Sequence, residues 1–335
     1  MRFVAISLTL VCCPLVTFAH HASSVGYDWD NVIELEGEIT SVLWRNPHVR
    51  MTLRRLGQDG EEELWELESA GLNIVQRLGV SSDDIHVGDR IRVAGAPNRQ
   101  GQTKMFIGNA LLADGREVLL RAYAKPRWTS DWTSRTVISA EQAAEAERLA
   151  TGIFRVWSWR ADTRTTASLT EEALLARESW DQLRDDTALR CISQGMPGLM
   201  FSPFPIEFID RGDEIVLKVE EWDAVRPIHM DDREEPRDRP ATPLGYSTGR
   251  WEGQTLVVET TRVSWPYFDD IGTPQSEAVK IVERFTLSAD EQRLDYAVRV
   301  TDPTTFTTTA EISGGQYGWT PGEAIKPFNC TLSDE

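Results

Sequence analysis

The sequence lacks the short motifs by which several large classes of protein bind nucleotides and metals. It has no P-loop, no dinucleotide-binding glycine fingerprint, no H-E-x-x-H pair and no EF-hand spacing. It also lacks low-complexity tracts and any internal repeat of about 20 to 50 residues, so a solenoid is not expected. These absences exclude the classes of enzyme and metal protein that depend on those motifs.

The chain has no cluster of basic residues. Its 35 Lys and Arg are outnumbered by 53 Asp and Glu, which gives a formal net charge of −18. Nucleic acids and anionic lipids are both bound through clustered Lys and Arg. The composition therefore argues against both partners and indicates an acidic surface with some attraction for cations.

A long apolar run occurs only at the start of the chain. Residues 3–18 are almost free of polar groups, Arg2 precedes them, and Thr17-Phe18-Ala19 resembles a signal peptidase site. About 16 apolar residues are short for a membrane-spanning helix. We therefore predict that residues 1–19 are a cleaved signal peptide, and that the mature protein is periplasmic or secreted with no membrane insertion.

Cysteine is scarce, and the four cysteines form two groups. Cys12 and Cys13 lie in the predicted signal peptide, which leaves Cys191 and Cys330 in the mature chain. In an oxidising compartment, such a pair predicts one structural disulfide. Two buried free thiols are the alternative.

Residues 20–120 have the pattern of a small barrel. Apolar and polar residues alternate as in half-buried strands, and one helical stretch, AGLNIVQRLG, ends on a glycine. Because that helix falls between the third and fourth strands, we predict a five-stranded Greek-key barrel of the OB type. The five strand stretches are VIELEGEITSVLW, HVRMTLRRL, ELWELES, GDRIRVAGAP and KMFIGNALLADG.

Residues 121–151 are predicted to be a connector that contains a helix. Ser139 and Gln142 have the spacing of a capping box at its start. Ser168 and Glu171 repeat that spacing before a second helix, and GIFRVWSWRADTR between the two indicates an edge strand.

Residues 152–335 are rich in strands and turns. Hairpin turns are predicted at residues 211–213, 252–254 and 288–290, and the last predicted strand is EAIKPFNC. Six to nine short antiparallel strands are typical of an up-and-down barrel or a curved, calycin-like sheet. The sequence as a whole therefore predicts a mainly β protein with two barrel domains.

Three histidines form a candidate metal site. Cleavage after Ala19 leaves His20 at the mature N-terminus, where the amine and the imidazole together chelate Cu(II), and His21 and His48 are further candidate ligands. Cleavage after Phe18 places a histidine third, which also chelates copper or nickel. The alternative is that the first two histidines are spacer residues and that His48 caps a turn.

The C-terminal domain carries a second set of candidates. An arginine, a carboxylate and an aromatic ring that share the interior of a barrel can bind a small apolar or aromatic ligand. The candidate ligand-binding residues are Trp222, Arg226, Trp251 and Arg284. The candidate catalytic residues are His229, Asp231, Arg250 and Glu283, with the histidine as an oriented acid or base. The alternative is that these charges form ordinary cross-strand ion pairs.

Several stretches resemble known sequences. AHHASSVGYDWDNVIELEGEITSVLWRNPHVRMTL resembles a family of exported bacterial proteins of unknown function that has an Ala-His-His-Ser start and a Trp-x-Asn-Pro-His turn. PFPIEFID, LGYSTGRWEGQTLVVETT and GTPQSEAVKIVERF resemble an uncharacterised periplasmic module that is often joined to it. The chain departs from that module at Gln275, where a histidine is expected, and at His229, where a tyrosine is expected. The resemblance implies no established reaction.

The sequence favours a periplasmic protein that binds a small-molecule ligand. Copper is the possible cofactor at the N-terminus, and a small apolar or aromatic molecule is the expected ligand of the C-terminal barrel. An isomerase, cyclase or hydrolase acting in that barrel is the main alternative. A structural module that docks a partner protein of the envelope is another.

Overall fold

The computed structural model shows a mainly β protein with two barrels. It describes residues 17–18, 26–130, 132–133, 138–161, 163–231 and 240–332. His20, His21 and most of the predicted signal peptide therefore lie outside the described residues. Thr17–Phe18 form the short strand β1. Among the described residues, no helix has the length and apolar character needed to cross a membrane.

Five strands form the first barrel, as predicted. Their order is β4-β3-β2-β5-β6, and a parallel pairing of β4 with β6 closes the ring. The short helix α1, Leu72–Arg77, lies between the third and fourth of these strands, also as predicted. The strands are β2 Ile33–Leu43, β3 Arg50–Leu56, β4 Glu62–Glu68, β5 Arg90–Pro97 and β6 Lys104–Leu111.

The alternation of residues in β2 explains why it forms one wall of this barrel. Leu35 and Ile39 are buried in the core, whereas Glu34 and Glu36 face solvent. Successive side chains of a strand point to opposite faces, so this spacing places Leu35 and Ile39 on the inner side. A shift of one residue in register would reverse that arrangement.

Two short strands and a helix follow the first barrel. Strands β7, Glu117–Leu119, and β8, Trp132–Thr133, extend its sheet beyond β6. Helix α2, Ala140–Leu149, begins with the predicted capping box of Ser139 and Gln142. It has no buried residue, so it lies exposed on the surface.

Nine strands form the second barrel. The ring closes because β9 pairs with both β11 and β18. All pairings are antiparallel except β13 with β14, which are parallel. A closed ring with an odd number of strands cannot alternate direction throughout, so one parallel pair is required. The strands are β9 Val156–Ala161, β11 Ile206–Asp210, β12 Glu214–Val219, β13 Ala224–His229, β14 Tyr246–Glu252, β15 Thr255–Thr261, β16 Lys280–Leu287, β17 Arg293–Thr301 and β18 Ala310–Trp319.

Two predicted features of residues 152–180 were wrong. Strand β9 is not an edge strand, because the closure of the barrel gives it a neighbour on each side. The helix α3, Glu171–Glu178, is capped by Thr170 rather than Ser168, since the Thr170 hydroxyl accepts the Ala173 amide at 3.2 Å. The remaining short elements are β10 Arg164–Thr166, which pairs with β1 and β18, and helix α4 Gln182–Asp185.

The C-terminal tail joins the two barrels. Residues 323–330 were predicted to be a strand, but they run across the first barrel with one isolated bridge between Asn46 and Cys330. Phe328 is buried in the first barrel's core, and Trp222 packs against the cores of both barrels. The predicted disulfide between Cys191 and Cys330 is confirmed and holds this tail in place.

Candidate ligand-binding sites

Two of the residues predicted from sequence meet inside the second barrel. Arg226 is 1% exposed and Glu283 is 0% exposed, and they form an ion pair. The Arg226 Nε donates to the Ser247 hydroxyl at 2.9 Å, and its Nη2 donates to the Thr260 hydroxyl at 2.7 Å. The Tyr296 hydroxyl donates to the Glu283 carboxylate at 2.9 Å. Arg226 and Glu283 thus belong to one buried polar network.

Two other predicted residues lie on the outer face of the same sheet. Arg250 pairs with the Glu259 carboxylate at 2.6 Å, and Arg284 pairs with the Glu252 carboxylate at 2.9 Å. Trp251, the next residue of β14, points to the opposite face at the end of the strand, where it is exposed and its ring lies edge-on to Phe154. Since neighbouring residues of a strand face opposite sides, Arg284 points away from the interior that holds the preceding glutamate.

The remaining candidates of the second barrel lie at separate positions. His229 is at the end of β13, where its ring stacks on Tyr246 at 4.8 Å and lies 3.6 Å from the Glu214 carboxylate. Asp231 follows it, next to residues that are not described, and Trp222 lies at the junction of the barrels. The structure therefore does not gather the predicted residues into one site, and their catalytic and binding roles stay predictions.

The stretch from Gly245 to Gly249 has the G-x-S-x-G spacing of a hydrolase nucleophile elbow. Such an elbow exposes its serine on a sharp turn between a strand and a helix. Here Ser247 lies within β14, is 2% exposed and hydrogen-bonds to Arg226 and Thr260. The serine has no access to a substrate, so the motif does not indicate an acyl-transfer enzyme.

His48 has a defined environment on the first barrel. Its Nδ1 lies 2.9 Å from the Ser69 carbonyl oxygen and 3.4 Å from the Glu68 carboxylate. The Tyr27 hydroxyl donates to the other oxygen of Glu68 at 2.9 Å, and Phe106 packs edge-on against the histidine ring. Because Nδ1 faces a carbonyl oxygen, it carries the proton, and the lone pair of the neutral ring is on Nε2.

A cleft on the second barrel, which we call the acidic cleft, combines aromatic rings with carboxylates. It has a volume of about 260 Å³. Two segments of the chain form it, one around the turn that follows α4 and the other between β15 and β16. Its lining residues are Trp180, Asp185, Asp186, Thr187, Gln194, Trp265, Tyr267, Asp269 and Asp270.

The two tryptophan rings that line the acidic cleft each pack against a glycine. A Cβ built on Gly195 would lie 2.5 Å from Cγ of Trp265, and a Cβ built on Gly272 would overlap Cγ of Trp180. Each ring therefore packs directly against glycine backbone. Gly272 also has a φ of +80°, which disfavours other residues at that position.

The carboxylates of the acidic cleft are held by local hydrogen bonds. Asp186 accepts the Ala188 amide at 2.9 Å, and Asp269 accepts the Thr273 amide at 2.9 Å and its hydroxyl at 2.7 Å. Burial raises the pKa of both Asp186 and Asp269 above the usual range. Hydrogen bonds from Arg184 instead lower the pKa of Asp185 to about 2.

The acidic cleft was not among the sites predicted from sequence. The run from Trp265 to Asp270 places three aromatic rings and two aspartates within one short loop, and that composition was the available signal. The other wall, with Trp180 and Asp186, is about 80 residues earlier in the chain and meets the loop only through the fold.

In the comparison with known proteins, a family model matches the N-terminal part of the chain. Residues 8–106, less than a third of the sequence, match the model of a family described as Family of unknown function (DUF6152). A search of curated proteins found no match. The matched segment contains His48 and most of the first barrel, and it agrees with the resemblance of this region to proteins of unknown function.

Proposed function

We propose that the protein is an exported binding protein that holds a small organic cation in the acidic cleft. The observation that carries this proposal is the placement of three aromatic rings and four aspartates around one opening. The face of an aromatic ring attracts a cation through its quadrupole, and each carboxylate adds a direct charge attraction. A neutral ligand of the same shape would gain the apolar contacts alone.

The charges around the cleft support this choice of ligand. Among the described side chains that line it, none is basic. Arg177, Arg184 and Arg190 act on its carboxylates from outside the lining, and Arg184 forms a pair with Asp185 at 2.6 Å. Burial raises the pKa of Asp186 and Asp269 because it destabilises their charged forms. A bound cation would stabilise those charged forms. Cation binding is therefore expected to strengthen as the pH rises.

The size of the cleft limits the ligand. The space inside the cleft is about 260 Å³ including the part that is open to solvent, so the proposed ligand is small. Choline, which carries a compact quaternary ammonium group, is the organic cation chosen to probe it. Each ring that contacts it contributes about 0.5 to 2 kcal/mol, depending on how far the cation is desolvated.

The test compares choline with its neutral isostere, 3,3-dimethyl-1-butanol, by isothermal titration calorimetry on the mature protein. Choline should bind and the alcohol should not. Trp180→Ala and Asp186→Asn should each weaken choline binding about tenfold, which corresponds to a loss of about 1.4 kcal/mol. Asparagine can still accept the Ala188 amide, so this variant removes the charge and keeps the local fold.

The control is Trp251→Ala, which removes an exposed tryptophan that does not line the acidic cleft. It should leave choline binding unchanged. Equal binding of choline and the alcohol would refute the charge recognition. Unchanged binding by both cleft variants would show that the ligand sits elsewhere.

A copper(II) site at His48 is a second candidate function. Histidines that bind metals commonly donate their other ring N–H to a carbonyl or carboxylate, as His48 does toward Ser69. Within the described residues, no group of three or more His, Cys, Asp or Glu is arranged to hold a metal. A copper site at His48 therefore needs His20 or His21 as a further ligand. His20 is seven positions before Tyr27, so even a fully extended chain keeps it within about 24 Å of Tyr27.

Electron paramagnetic resonance of the mature, untagged protein with one equivalent of Cu(II) tests this candidate. We expect a type 2 signal with nitrogen ligands, which changes in His48→Ala and is lost when an alanine is added before His20. His86→Ala is the control, because His86 is an exposed histidine of the same barrel. A spectrum that is unchanged by both alterations would refute the site.

An apolar ligand or a reaction inside the second barrel receives less support. The core of that barrel is occupied by large side chains, among them Trp157, Phe208, Phe285 and Tyr296. The candidate catalytic residues are spread over its interior, its outer face and one strand end. Both functions remain predictions from the sequence.

A further inference from the structure

We propose that the disulfide between Cys191 and Cys330 is a redox switch of the acidic cleft. The oxidised form binds the organic cation, and reduction by a dithiol weakens that binding. This inference rests on the proposed function and adds a means of regulating it. The bond joins the C-terminal tail to the wall segment, by which we mean residues 184–191. The wall segment carries two of the carboxylates that line the cleft, those of Asp185 and Asp186.

The disulfide lies close to the cleft along the chain. Asp186 accepts the Ala188 amide and so caps the single helical turn Thr187–Arg190, and Cys191 is the residue that ends this turn. Only the four residues of the turn separate the carboxylate from the sulfur. Because such a short turn is held together by its own hydrogen bonds, a shift of Cys191 also moves the carboxylate of Asp186.

The hydrogen bonds of the wall segment are local. The Arg190 guanidinium donates to the Arg184 carbonyl oxygen at 2.7 Å, and the Ile192 amide donates to the Thr187 carbonyl oxygen at 3.1 Å. The turn Thr187–Arg190 contains no buried residue. These bonds give the segment its shape but do not connect it with a strand of either barrel. Local opening is easiest where buried contacts are few, so this segment depends on its other attachments.

Noncovalent packing fixes the chain on either side of the wall segment. Trp180, before it, packs against Gly272, and Gly195, after it, packs against Trp265. These two attachments are 15 positions apart, and the disulfide adds a third attachment between them. Loss of the bond therefore leaves a loop whose two ends are fixed and whose middle, which includes Asp186, can move.

The tail at the other end of the bond is held independently of the disulfide. Phe328 is 1% exposed in the first barrel's core, and its amide donates to the Asp223 carboxylate at 2.9 Å. Asn46 donates to the Phe328 carbonyl oxygen and forms a β-bridge with Cys330. The disulfide thus attaches the wall segment to a firmly packed part of the fold. Its reduction should release the segment while the tail stays in place.

A small thiol can reach this bond. Cys191 and Cys330 are both partly exposed, and the residues that follow them, Ile192 and Thr331, are exposed. One thiolate of a dithiol attacks a sulfur of the bond, which breaks, and the departing cysteine takes up a proton. The second thiol of the same dithiol then attacks the mixed disulfide and releases the other cysteine. In total, two electrons and two protons pass to the cysteine pair, and the dithiol becomes a disulfide.

Release of the wall segment should change one side of the cleft. The opposite side, residues 265–270, lies on a different loop that the disulfide does not touch. A site in which half of the charged groups are no longer held in place has to order them when the ligand binds, and that cost lowers the affinity. The reduced protein should therefore retain the aromatic wall formed by Trp265 and lose the fixed position of Asp186.

The test is isothermal titration calorimetry of choline with the full mature chain, first oxidised and then reduced with dithiothreitol, with mass spectrometry to confirm that both thiols have formed. Choline should bind about tenfold more weakly to the reduced form, and reoxidation should restore the affinity. The matched control combines Cys191→Ser with Cys330→Ser. This variant should bind choline like the reduced wild type and should not respond to dithiothreitol. Near-UV circular dichroism shows that each form compared is folded.

Hydrogen–deuterium exchange followed by mass spectrometry tests the release of the wall segment without any ligand. Reduction should raise the exchange of amides in residues 184–192 and leave residues 325–329 of the tail unchanged. Exchange that rises equally throughout both barrels would overturn the switch, because the bond would then support the whole fold. Unchanged exchange in residues 184–192 would overturn it as well.

The calorimetry distinguishes the two proposals. If the oxidised protein does not bind choline, the proposed function fails, and the regulation of cation binding fails with it. If the oxidised protein binds choline and the folded, reduced protein binds it equally well, the proposed function stands and the redox switch is overturned.

Discussion

Arg226 and Glu283 face each other in the interior of the second barrel, and both are almost completely excluded from solvent. The sequence alone suggested one as a ligand-binding residue and the other as a catalytic one. Their partners are Ser247, Thr260 and Tyr296, which belong to neighbouring strands. A buried ion pair with such partners holds adjacent strands in one register, and a change in either member leaves a charge without compensation.

We therefore expect Glu283→Ala to destabilise the protein by about 3 to 5 kcal/mol, because it leaves the Arg226 guanidinium buried and unpaired. Urea denaturation followed by tryptophan fluorescence measures the loss. Glu252→Ala removes a carboxylate from the exposed outer face of the same barrel and should cost at most about 0.5 kcal/mol. Similar losses for the two variants would contradict the importance of the buried pair.

Glu221 should make stability depend on pH. Burial, with a contribution from the charge of Asp186, raises its pKa to about 7, and a hydrogen bond from Ser202 opposes the shift. Between the unfolded pKa of about 4.3 and this value, the folded state binds more protons than the unfolded state. Its contribution to stability is therefore present below pH 4.3 and is lost as the pH rises through 7.

Glu221→Gln removes this dependence. The variant should be more stable than the wild type by about 1 to 2 kcal/mol at pH 8 and nearly equal to it at pH 4.5. Urea denaturation at both pH values measures the difference. Glu277→Gln, at an exposed position, should show no such change between the two conditions. A constant difference for Glu221→Gln at both pH values would contradict the raised pKa.

The disulfide should contribute strongly to stability because it closes a long loop. Cys191 and Cys330 are separated by 139 positions. Replacing both with serine should cost about 4 to 5 kcal/mol in the chain-entropy model, measured by urea denaturation of the oxidised wild type and the double variant. A reductant should destabilise the wild type and leave the variant unchanged. A reductant effect on the variant would point to a cause other than this bond.

Gly195 packs against Trp265, which lines the acidic cleft. An added Cβ would lie 2.5 Å from Cγ of Trp265 and 2.6 Å from the Pro243 carbonyl oxygen, so the ring has to move. Gly195→Ala should destabilise the protein by about 1 to 3 kcal/mol and weaken choline binding. Gly108→Ala is the control, since its nearest neighbour is 3.8 Å away. Unaltered choline binding by a folded Gly195→Ala variant would show that Trp265 does not contribute to choline binding.

Local patterns in the sequence determined much of the fold. The alternation of apolar and polar residues predicted the strands of both barrels, because the period of two in a strand needs no knowledge of its partners. Ser139 and Gln142 predicted the start of α2, since a capping box is formed by residues only three positions apart. The sequence also predicted the pairing of Cys191 with Cys330, since the other two cysteines lie in the predicted signal peptide.

Only the tertiary structure decided how distant segments meet. The closure of the second barrel gave β9 two neighbours, and the tail that ends at Cys330 crossed to the first barrel instead of forming a strand. The acidic cleft brings Trp180 to the loop of Trp265, and a second cleft, beside α1, brings Lys326 to Arg45. The sequence shows which residues are charged or aromatic, but a shared cleft depends on contacts between segments that only the packed chain forms.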